Sequence, residues 1–203
     1  MIIDLVAVAS FSVALPLTIG LFISRRLPKP SRYIIWLLAT WLIAETLAYI
    51  LRVNSISNWW IYILLSLFQI ILLTDFFRGI IANSKVKAVF SWLGWLGIAI
   101  LIVECSIAKG PSSTITSFYE GIFYFGMGLY YFYESIFKEG KTHDYTFLVV
   151  TILMLFLGST VFLCTWTFMK YDEKIFRLFG DVHAFLLIGC YFLFTLSLWR
   201  LQR

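Results

Sequence analysis

The chain has 203 residues, of which 61% are hydrophobic and 13% charged, and its mean hydropathy is +0.90. Soluble domains hold about 45–50% apolar and about 25% charged residues, so composition alone excludes a soluble globular fold. The formal charge of +5 is spread over several short connections without a basic domain, so nucleic acid is not an expected partner.

Seven apolar stretches follow one another, each of about twenty residues and long enough to cross a hydrocarbon core of about 30 Å. The runs are continuous rather than alternating, which predicts helices and not barrel strands. The first runs from Ile3 to Ile23 and contains Pro16, a predicted kink. Its Ala7-Val8-Ala9 superficially suits a signal peptidase, but it precedes most of the apolar run, and Asp4 stands where a positive segment belongs, so the helix reads as an uncleaved anchor. A stiff basic turn with Pro28 and Pro30 leads to the second helix, Tyr33 to Leu51. The third spans Trp59 to Phe77, and Trp59, Trp60 and Tyr62 at its start, with Tyr33, Trp36 and Trp199 elsewhere, suit two aromatic belts at the lipid–water boundary.

The fourth helix, Ala88 to Ile107, repeats small residues at Ser91, Gly94 and Gly97, and the fifth, Ile115 to Phe137, places Gly121 and Gly128 on one face. Small side chains let helices approach closely where lipid gives no hydrophobic drive, so these mark close contacts. The sixth runs from Tyr145 to Met169 and the seventh from Leu178 to Trp199. Cys105, Cys164 and Cys190 fall within or at the ends of spans and imply packing rather than a disulfide framework. The predicted fold is an all-α integral membrane protein, a single seven-transmembrane-helix bundle over residues 1–203.

Basic residues are retained on the cytoplasmic side of short loops. With the N-terminus outside, eleven of the sixteen lie inside: Arg25, Arg26, Lys29 and Arg32; Arg78, Lys85 and Lys87; Lys138 and Lys141; and Arg200 and Arg203. Arg52, Lys109, Lys170, Lys174 and Arg177 fall outside. The expected topology is N-terminus outside and C-terminus cytoplasmic.

An ionisable group at membrane depth costs about 2.5–3.5 kcal/mol even on lenient insertion scales and needs a partner, water or a neutral state. Asp75 with Arg78, Glu134 with Lys138 and Asp181 with Arg177 have helical spacings that predict interfacial pairs. Glu45, Glu120, His183 and Glu104 have no such neighbour three or four residues away and require partners on other helices. The first three lie about 7–9 Å below the outer ends of their helices, and Glu104 nearer the mouth. Trp41, Glu45 and Tyr49 share a stripe, as do Glu120, Tyr124, Met127, Tyr131 and Glu134. The expectation is an outward-facing polar pocket of Glu45, Glu120 and His183, with Glu104 at the entrance and Tyr49 and Tyr124 as walls, extended inward by Ser66 and Gln69. No cofactor is predicted, but clustered carboxylates call for a bound cation, an amine or shared protons. A metal held by Glu45, Glu120 and His183 and a purely structural hydrogen-bond network stay open beside the ligand reading.

Known chemistries narrow the choice. Retinal attachment needs a lysine that the seventh helix lacks, and intramembrane zinc hydrolases need three histidines where this chain has His143 and His183. There is no phosphate-binding lysine loop, HExxH or GxSxG. Trp59-Trp60-Ile61-Tyr62, Phe68-Gln69, Phe76-Phe77-Arg78, Tyr131-Phe132-Tyr133-Glu134, Val182-His183-Ala184 and Ser197-Leu198-Trp199 resemble compact seven-helix membrane proteins of Bacteroidota-type bacteria, which are similar to membrane modules preceding sensor histidine kinases. The resemblance implies a multi-pass module of a bacterial inner membrane with a cytoplasmic signalling partner. As the sequence ends at Arg203, a kinase output is expected on a separate polypeptide. Three functions remain in order: a sensory module, a small-solute or proton-coupled transporter, and an intramembrane enzyme. A polar route past Gln69 and Tyr131 favours transport, and a sealed inner half favours sensing.

Overall fold

The computed structural model describes residues 5–107, 114–137, 145–169 and 173–202, apart from the side chains of Val6, Thr114 and residues 162–177. It is all-α, with no strand among the described residues. The helices are α1 (Leu5–Phe11), α2 (Ala14–Ile23), α3 (Ser31–Val53), α4 (Trp59–Ile80), α5 (Ser84–Ile107), α6 (Thr114–Phe137), α7 (Thr146–Met169) and α8 (Glu173–Leu201). Pro16 has no N–H to return to Ser12, and the first rod breaks there into α1 and α2. The Ser12 hydroxyl turns back to the Ala9 carbonyl at 2.6 Å. The other six helices follow the expected ranges, with α8 starting at Glu173 instead of Leu178.

Consecutive helices pack side by side, and α8 returns against α1 and α2, so the rods close into a ring with α4 also touching α6 across it. Close approach is possible because side chains are missing at the contacts. A Cβ on Gly94 would stand 2.8 Å from Thr74 Oγ1, one on Gly97 2.7 Å from Tyr119 Cε1, and one on Gly128 2.7 Å from a Leu153 methyl. These pairs join α4 to α5, α5 to α6 and α6 to α7, the role expected of the small-residue repeats.

Four helices are long and apolar enough to cross a membrane: Ser31–Val53, Trp59–Ile80, Ser84–Ile107 and Leu178–Leu201. Within the described residues, Ala7–Ile23 and Thr146–Val161 are apolar but shorter. The 24 residues of α6 are not among the four, for they include five tyrosines, two glutamates and three glycines.

The connections rest on polar side chains. At the end of α3, Ser55 adopts φ 56°, and the Ile56 N–H donates to the Leu51 carbonyl at 2.8 Å, closing the helix in a Schellman turn without glycine. Between α4 and α5, the Glu134 carboxyl of α6 accepts the N–H groups of Ala82 at 2.7 Å and Asn83 at 3.2 Å, while Asn83 Oδ1 caps Lys85 N–H at 3.0 Å. Glu134 is fully buried, and its expected partner Lys138 lies outside the described residues. Its carboxyl is already used by a turn on another helix pair. Asp75 and Arg78 do pair, at 3.1 Å. Lys138, His143, and the side chains of Arg177 and Cys164 lie outside what is described.

Replacing Glu134 with Ala leaves two backbone donors of the α4–α5 turn without their acceptor. The expected loss is about 3 kcal/mol, read from the melting of the purified protein. Melting unchanged from the parent chain would show that the clamp is dispensable.

Candidate functional site

Three of the expected residues line one cavity of about 360 Å³: Glu45 from α3, Glu120 from α6 and His183 from α8. It lies toward the end of the ring where α3 finishes and α4 and α6 begin. Ser66 and Gln69 of α4 are on the wall, as expected. Trp41 forms the floor with Phe156 and Tyr191, its ring meeting theirs at centroid distances of 6.4 and 6.0 Å.

Helical register explains the set. In α6, Glu120, Tyr124, Met127, Tyr131 and Glu134 are all at most 4% exposed, so the whole stripe turns into the ring. On α3, Trp41 and Glu45 face inward, but Tyr49 is 47% exposed and meets Phe11 edge-on at 6.0 Å instead. Steps of four overshoot the helical repeat of about 3.6 residues, and two of them rotate Tyr49 by about 80° from Trp41. The expected wall residue Tyr49 is thus outside the cavity.

Tyr124 is buried below the floor, 4.4 Å from the Phe156 ring centroid, and its hydroxyl has no hydrogen-bond partner among the described residues. It borders Glu120 without lining the cavity. Glu104 is not an entrance group either. Its carboxyl accepts the N–H groups of Ile115 at 3.1 Å and Thr116 at 2.9 Å and the Thr116 hydroxyl at 2.5 Å. This satisfies the first turn of α6, where a carboxylate also suits the helix dipole, so Glu104 is a cap borrowed from α5.

Glu120 is different. It is 4% exposed, and although Ser66 faces it, Oε1 has no hydrogen-bond partner among the described residues. Glu45 is half-buried, faced by Ser10 of α1 and within electrostatic reach of Arg52 two turns along α3. No Lys or Arg lines the cavity among the described residues, and Arg52 sits at its rim beside Tyr62. The cavity therefore offers acceptors, aimed from two helices into a small space.

Sequence reasoning missed several lining residues. Ser117, Ser159 and Thr160 add hydroxyls, and Tyr62, read as a depth anchor, stands on the wall. The Ser159-Thr160 pair within an otherwise apolar helix was the available signal. Arg52, seven residues after Glu45, was detectable from the two-turn repeat.

No group of three His, Cys, Asp or Glu side chains able to hold one metal ion occurs among the described residues. Glu45, Glu120 and His183 share the cavity but do not form such a set, so the three-ligand metal arrangement is not supported. Comparison with protein-family models, curated proteins and solved structures finds no match.

Glu104 and Glu120 are expected to respond oppositely to truncation. Glu104→Ala strips two N–H donors and lowers stability by about 3 kcal/mol. Glu120→Met removes an unsatisfied polar atom and raises stability by about 1 kcal/mol. Chemical or thermal unfolding of the two variants checks the contrast, and equal destabilisation would make Glu120 structural.

Proposed function

We propose that the chain is a seven-span module of a bacterial inner membrane, with its N-terminus outside, that binds a small cationic ligand in the outward cavity and passes the event to a cytoplasmic signalling partner. The observation that carries this reading is the cavity itself, which Glu45 and Glu120 both line with no lysine or arginine on the walls described. An ammonium group supplies charge and hydrogen-bond donors that suit the half-buried Glu45 and the buried Glu120.

The choice of sensing over transport rests on what lies beneath. Below Trp41 the ring is filled by Leu37, Leu38, Leu73, Met127, Ile152 and Phe194, each less than 1% exposed. Tyr131, which a transport route would have to pass, is 1% exposed and holds the Tyr145 N–H at 2.9 Å. Among the described residues this packed apolar layer stands across a polar path. Binding energy is then available for shifting helix packing, since Trp41 of α3 touches rings on both α7 and α8.

Two measurements test the reading. Propylammonium at a hundred times its Kd is expected to stabilise the purified protein by about 2.7 kcal/mol. Glu45→Gln and Glu120→Gln should abolish that shift, and an absence of any shift in the parent chain would overturn the cationic ligand.

The second concerns sidedness. In a chain with its cysteines replaced by Ala, Ser159→Cys is expected to react with a membrane-impermeant thiol reagent applied from outside and to be protected from inside. Ile152→Cys is expected to stay unlabelled from both faces. Labelling of Ser159→Cys from both sides would favour the transporter.

A further inference from the structure

A second hollow of about 390 Å³ lies between α7 and α8, and its walls are Met154, Leu157 and Val161 on one side and Phe179, Val182 and Leu186 on the other. Met154, Leu157, Val161 and Val182 are all exposed, so this groove opens outward from the ring, along the surface that the proposed membrane placement gives to lipid. His183 lines both this groove and the polar cavity. Among the described residues, the imidazole is the one side chain common to the walls of the apolar groove and of the cavity that holds the carboxyls. At Gly158 the two helices touch, with Leu186 methyls 2.8 Å from where a Cβ would be.

We infer that the ligand of the site is a single-chain aliphatic amine that reaches it from the bilayer, its chain in the α7–α8 groove and its ammonium group past His183 between Glu45 and Glu120. The inference rests on the cationic-ligand reading and adds the tail. Each part of the molecule meets a surface of its own kind: methylenes meet Leu157, Val182 and Leu186, and N–H donors meet the carboxyls, including the unpartnered Glu120 Oε1. Both hollows are at the lower end of the range for ligand sites, about 300–1,000 Å³, which suits one chain and a small headgroup.

The test uses the full chain in nanodiscs and compares propylamine with dodecylamine by melting shift. Dodecylamine is expected to act at a concentration at least about tenfold lower, because its methylenes leave water for the groove. Val182→Trp fills the groove from an exposed position and should erase the chain-length advantage while leaving the propylamine response intact, and Met154→Trp should do the same by a second route. Dodecylamine carrying a terminal diazirine should cross-link within 154–161 and 179–186. Equal potency of the two amines, an advantage that survives both tryptophans, or cross-links confined to other helices would overturn the tail while the cationic site stands. If neither amine shifts the parent chain, the cationic reading itself fails.

Discussion

A carboxyl group inside a low-dielectric interior must meet hydrogen-bond donors, and the buried glutamates of this chain meet them to unequal degrees. Glu134 and Glu104 each close on two backbone N–H groups near the start of a helix, α5 in one case and α6 in the other. These groups would otherwise need water or another acceptor. The two caps clamp α6 at opposite ends, one from its own stripe and one from α5. With its ends fixed, the stripe between them points into the ring, and Glu120 is held there without equivalent donors. The same chemistry that makes two glutamates structural leaves the third available.

The ring divides that interior into unlike halves. Phe76, Phe77 and Tyr145 pack edge to face on the side of the Glu134 clamp, with centroid distances of 5.2 and 6.0 Å. Such contacts leave little space for rearrangement. Toward the other end, hydroxyls and carboxyls replace rings, and the packing opens into the cavity. Trp41 stands at the boundary with three aromatic neighbours on α7 and α8. In the proposed sensing role, a ligand that displaces this indole loads two helices at once, one of them α8, whose last turn holds Arg200.

Continuous apolar runs made the helices legible, because backbone groups in lipid must bond within their own segment and the ends are punctuated by Gly, Pro and charge. The break at Pro16 was legible as well. Side-chain direction was harder. Glu45, Glu120 and His183 could be brought together from depth alone, whereas Tyr49 was lost to the accumulated rotation of four-residue steps and Tyr124 to a difference of one packing layer. The capping roles of Glu104 and Glu134 were not legible for a shared reason. Their partners are backbone N–H groups in turns, and a sequence displays no record of which backbone donors lack acceptors.

The case of α6 shows why mean hydropathy understates this chain. Averaged over its length, α6 falls outside the group of helices that qualify as spans, yet its composition is divided by face. Phe118, Ile122, Phe125, Leu129 and Ile136 are 44–75% exposed, while both glutamates are buried. An outward row of large apolar groups is at home in lipid or against another apolar surface, and its cost in water would be carried by five side chains. A helix that turns its apolar row out and its carboxyls in reverses the pattern of a soluble bundle. The inward acids then have no solvent to discharge into, and the donors that satisfy them must come from turns, from neighbouring helices or from a ligand.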